Sequence, residues 1–154
     1  MVRLADLSVV EQQHLLAKCD PPLGPDVFVP AKPLSARRIA LVTTAGLHLR
    51  DDARFGFVET AYRVIPGDAQ AADLVMSHSS VNFDRTGFQE DINVVFPLTR
   101  FRELVGEGVI GGLGPEHFSF MGALAAPAAY ETAAVHLAEL LKGSGVDTVF
   151  LTPV

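Results

Sequence analysis

Among the residues able to do acid–base chemistry, His78 has the richest surroundings: Ser77, Ser79 and Ser80 flank it, and Asp84 and Asp91 follow. An imidazole titrates near neutrality, and a nearby carboxylate would orient the ring and tune its basicity, as a general acid or base requires. A histidine that caps a strand through its ring nitrogens accounts for the same pattern. Asp91 and Asn93 form a second polar group, at the start of a stretch that otherwise favours a strand, where both residue types are depleted. They either fix a turn or touch a substrate. A third group, Thr43-Thr44-Ala45-Gly46 with His48, could offer hydroxyls and backbone amides to a carboxylate or phosphate, but without a phosphate-loop spacing it reads first as a capped strand end. Met121-Gly122 is the fourth.

Other chemistries find less support. His48, His78 and Asp84 carry metal-donor atoms, but their spacing matches no recognised ligand pattern, so no metal site is expected. Gly106-Glu107-Gly108-Val109-Ile110-Gly111 has the spacing of a dinucleotide loop, yet it follows a helical stretch instead of opening one after a strand, and no cofactor is expected. Cys19 precedes Asp20 and two prolines without the basic or helix-amino-terminal setting that lowers a thiol pKa, which marks it as an incidental thiol.

The elements that must position these groups follow from hydropathy. Residues 38–43, RIALVT, form a near-continuous apolar run of the kind buried on both faces of a parallel sheet, and serve as the first and central strand. A long loop follows. Shorter strands are expected at 62–65, 74–76, 93–96 and 146–151, with a buried segment over 117–124. Ser8, with Glu11 three residues later, opens a short amphipathic helix to residue 18. Pro97 opens another that presents Phe101, Leu104 and Val105. Over 127–142, Tyr130, Ala134, Leu137, Ala138 and Leu141 share a face, and Gly143-Ser144-Gly145 stops the helix. Residues 20–35 hold five prolines, so the chain divides into an amino-terminal helix and proline-rich arm over 1–35 and one α/β domain over 36–154. Strands alternating with helices predict a three-layer sandwich around a small, mostly parallel sheet of the Rossmann or flavodoxin kind. Ligands of such sheets gather beyond the carboxyl ends of the strands, where all four polar groups fall.

Composition narrows the partners. With 154 residues, 49% of them hydrophobic and 19% charged, the chain has material for one core. A net charge of -6 argues against nucleic acid, whose phosphates demand clustered cations. One cysteine excludes an internal disulfide and fits a reducing cytoplasm. The amino-terminal stretch is broken by Asp6, Glu11, Gln12 and Gln13, unlike a secretory signal, and no apolar run is long enough to span a bilayer. The mean hydropathy of +0.29 and the alanine-rich helix over 128–141 suit a homo-oligomer.

Several ordered blocks, RIALVTTAGLHL, the VIP near position 65, LVMSHSS, DINVVFPLTRFREL and GVDTVFLTPV, together resemble the selenoprotein B family of glycine, sarcosine, betaine and D-proline reductases. The resemblance implies an α/β fold and reductive cleavage of an amino-acid C–N bond by a selenocysteine or cysteine within a larger complex. It places the site at Thr43, Thr44, His48, Ser77, His78, Asp91 and Asn93. No cysteine follows position 19 and there is no CxxC pair, so the family's redox nucleophile has no matching position. Three readings follow. The chain binds a small amino-acid-like carboxylate while a redox partner protein supplies the chemistry; or it is a self-contained enzyme using His78 with Asp91 or Asp84; or it is a structural or accessory subunit.

Overall fold

The computed structural model describes residues 3–17, 29–81, 84–123 and 125–154. Cys19 and the first part of the proline-rich arm lie outside them. The chain is α/β, with helices packed on a mixed sheet. Strand β1 (Arg38–Thr43) is the axis of that sheet, as its apolar run demands: Ala40 and Leu41 are fully buried. Along one edge β1 pairs in parallel with β7 (Thr148–Thr152), from Ile39 opposite Thr148 to Thr43 opposite Thr152. Its other edge is shared by two short parallel strands. β5 (Gly112–Leu113) pairs with the start of β1, and β6 (Glu116–Phe120) with its end.

The far edge departs from the expected parallel arrangement. β3 (Tyr62–Pro66) runs antiparallel to β6, from Tyr62 opposite Phe120 to Pro66 opposite Glu116. A second departure concerns the loop after β1. It contains β2 (Leu47–Leu49), which pairs antiparallel with β4 (Leu74–Met76) in a separate two-stranded ladder. Residues 93–96 are not a strand either. The Asp91 side chain accepts the Asn93 N–H at 2.9 Å and so caps a single 3-10 turn over Ile92–Val94. That is the behaviour that keeps Asp out of strands: its carboxylate competes for the backbone donors that a sheet would use.

Alternation along β1 divides the core. Ala40 and Val42 pack with Phe118, Phe120, Val146, and Leu137 and Leu141 of helix α4 (Glu131–Gly143). Leu41 packs instead with Ile65, Leu74, Val95, Phe96 and Leu98, against which Phe101 of helix α3 (Leu98–Gly106) is laid. Arg102 ties α3 to the end of β3 by donating to the Gly67 and Ala69 carbonyls at 2.7 and 2.8 Å. Helix α1 (Val9–Leu16) begins as the sequence predicts, with Ser8 and Glu11 in a reciprocal capping box. Helix α2 (Thr86–Glu90) is a single turn that the sequence pattern does not announce.

Candidate functional site

The carboxyl ends of β1, β4 and β6 meet at one glycine. Gly46 donates its N–H to the Phe120 carbonyl at 2.8 Å and accepts the Ser77 N–H at 2.9 Å. Its φ of +65° is a left-handed conformation, and an added Cβ would stand 3.0 Å from the His78 backbone, so any side chain here would be both strained and tight against the strand ends. Three of the four polar groups are thereby brought together. Ser79 lies 3.1 Å from the Met121 sulfur, and Gly122 packs directly on Thr44.

Most of the residues in these groups do structural work. Thr43 is fully buried; its hydroxyl donates to the Val95 carbonyl at 2.9 Å, with the Thr152 carbonyl at 3.2 Å, and accepts the Ala45 N–H. Thr43→Val takes the donor from the Val95 carbonyl and the acceptor from the Ala45 N–H in the core, so urea unfolding should show a loss of about 1–3 kcal/mol. A binding site at Thr43 would instead show unchanged stability. Thr44 accepts the Val154 N–H at 2.9 Å, and the Ser77 hydroxyl accepts the Phe55 N–H at 3.1 Å. His48 is buried, with Nδ1 donating to its neighbour Leu49's carbonyl at 2.7 Å and its ring edge-on to Phe55.

His78 differs because it combines burial with a cationic neighbour. It is 6% exposed, and Nδ1 accepts the Ser80 N–H at 3.2 Å, which puts the proton of the neutral ring on Nε2. Burial, and then the charge of Arg85, hold its pKa below the ordinary histidine value. Arg85 folds back over the loop, and one guanidinium nitrogen donates to the His78 and Ser80 carbonyls at 2.7 and 3.0 Å. Ser80, Val81, Asp84 and Arg85 line a cleft of about 350 Å³.

The anticipated carboxylate partners of His78 are engaged elsewhere. Asp84 accepts the Thr86 N–H at 2.9 Å, and Asp91 accepts both the backbone and side-chain N–H groups of Asn93, at 2.9 and 2.7 Å. Both carboxyls sit below their usual pKa for that reason and stay ionised near neutrality. Arg85 is the residue that sequence reasoning missed. A lone arginine seven positions after His78, in a chain of net charge -6, is the signal that was present.

A larger groove, about 460 Å³ and almost wholly apolar, lies apart from this cleft between α4 and β7. No three His, Cys, Asp or Glu side chains gather as a metal site among the described residues, and none of their helices is long and apolar enough to cross a membrane.

The match of a family model over residues 25–154 defines the class of protein: the chain belongs to the glycine/sarcosine/betaine reductase selenoprotein B family. It is 37% identical over 154 residues to the D-proline reductase subunit gamma of Acetoanaerobium sticklandii, a match that takes in 97% of this chain and 62% of that protein. The chain thus spans less than two thirds of the relative's length. No solved structure matches it.

Proposed function

We propose that this chain is the substrate-holding part of an amino-acid reductase assembly, binding a small amino acid or its N-methyl derivative in the cleft beside His78 while a redox partner protein supplies the nucleophile. The observation that carries this reading is the charge arrangement of the cleft. Arg85 presents a cation held in place by two carbonyls, and Asp84 an anion fixed by the turn it caps. Together they complement the carboxylate and the ammonium of one zwitterion. The family's named substrates, glycine, sarcosine, betaine and D-proline, all carry a carboxylate beside a charged nitrogen.

His78 stands beside the cleft and orders its loop, with Nδ1 accepting the Ser80 N–H and its carbonyl holding Arg85. A rim of apolar side chains beside the loop suits an encounter with the redox partner protein. Phe57 is 71% exposed and Val81 92%, and the Ser79 hydroxyl reaches the Phe57 carbonyl at 3.5 Å. Large apolar side chains gathered around a polar cleft are the usual mark of a protein contact.

Calorimetric titration with glycine, sarcosine, betaine and D-proline provides the test. One of these should bind, and Arg85→Ala should weaken it about tenfold or more, the worth of a charge-assisted hydrogen bond. Arg85→Lys should recover part of the loss. If none of the four binds, or if Arg85→Ala binds as well as the natural chain, the reading is wrong.

A further inference from the structure

Strand β7 pairs with β1 along one edge, and among the described residues no strand covers the other. Its sequence, TVFLT, is apolar on both faces. Val149 and Leu151 look into the apolar groove, Leu151 with 67% of its surface exposed, while Phe150 lies on the opposite face against Phe101, ring centres 4.9 Å apart. A strand apolar on both sides belongs inside a parallel sheet. Edge strands are normally guarded by charge, proline or a bulge, and Thr148–Thr152 has no charge, no proline and an unbroken register with β1.

The groove beside it has the form that a helix would fill. Ala134, Ala138 and Leu141 of α4 make one wall, Val149 and Leu151 the other, and the two alanines leave room for close approach. In a parallel sheet each added strand arrives through a crossover whose helix lies on the sheet face beside the previous one.

We propose that β7 and this groove receive a strand–helix unit, with an extended apolar segment pairing parallel to β7 and an amphipathic helix lying along α4. The occupant is the corresponding part of the family's longer chains. More than a third of the Acetoanaerobium sticklandii subunit lies outside its match to this chain, and a strand–helix unit takes only about 30 residues. A second copy of the chain fits less well. Two-fold pairing of β7 with itself would satisfy the strand edge but set two grooves side by side with no helix in either.

The test is to co-express the tagged 154-residue chain with the region of the Acetoanaerobium sticklandii subunit that lies outside the match. A one-to-one complex should co-purify, and the outward-facing amides of Val149 and Leu151 should exchange at least tenfold more slowly in it than in the chain alone. Leu151→Glu charges the β7 wall of the groove and Ala138→Arg its α4 wall; both positions are exposed, so both variants keep the fold, and each should abolish the complex. A chain that is dimeric by itself, with its β7 amides already protected, would overturn the proposal in favour of a second copy. So would the absence of any complex, or a complex indifferent to Ala138→Arg. These readouts do not involve the Arg85 cleft, so failure here leaves the substrate reading standing, and failure there leaves this one.

Discussion

Gly122→Ala should lower the thermal unfolding midpoint by about 4–20 °C. Gly122 ends the turn after β6 with φ at +76°, a conformation that costs an L-residue about 1–2 kcal/mol. An added Cβ would also stand 2.5 Å from the Thr44 carbonyl oxygen and nearer still to the Thr44 side chain. Thr44 has little room to retreat, because its neighbour Thr43 is locked to Val95 and its own hydroxyl holds the Val154 N–H. Overpacking of that kind adds about 1–3 kcal/mol, and each kcal/mol moves the midpoint of a chain this size by about 2–4 °C. Gly145 supplies the control. Its φ is +73°, but nothing lies within 4 Å of an added Cβ, so Gly145→Ala should register the backbone cost alone. Equal losses at the two positions, measured by calorimetry, would show that the contact with Thr44 is not what excludes a side chain.

The second large effect is a loss of stability in acid, centred on His117. This residue is fully buried in β6, where Nδ1 accepts the Leu41 N–H at 3.1 Å and the ring lies edge-on to Phe96. Burial, reinforced by the charge of Arg102, lowers its pKa from 6.5 to about 4. The native chain therefore refuses a proton that the unfolded chain accepts below pH 6.5. The stability this difference provides is complete above pH 6.5 and is lost as the pH falls toward 4, by about 3 kcal/mol in all. His78, shifted the same way, adds to the loss. Urea midpoints from pH 7 to pH 4, with the His117 ring titration followed by NMR, check both parts. A His117 resonance titrating near pH 6.5 in the folded protein would refute the assignment.

The parts of the fold legible in the sequence were those with their own periodicity or chemistry. RIALVT announces a central strand because a run apolar on both faces has few other places to go, and the Ser8–Glu11 box and the stripe on α4 are equally local signals. What was hidden depends on partners distant in sequence. β2 is three residues long and exists because β4 pairs with it; the direction of β3 is fixed by β6, more than fifty residues later. Residues 93–96 misled because their apolar character belongs to the core, while the backbone follows the Asp91 cap. The site shows the same division. That the strand-end groups would gather was readable from topology, but the structural use of Thr43 and Ser77, and the part played by Arg85, depend on which backbone groups the fold leaves within reach.

The place of β1 at the centre of the sheet bears on how the chain is made. The strand residues paired with it are 112–113, 118–119 and 148–152, so every paired strand lies more than seventy residues downstream. Contacts of such long range make folding slow, because the entropy of closing large loops is lost before the strands repay it. At translation speeds of about 5–20 residues per second, RIALVT waits several seconds outside the ribosome with no partner. The most deeply buried strand of the finished protein is thus an exposed, aggregation-prone segment of the nascent one, and expression at lower temperature or with a holding chaperone should favour soluble protein.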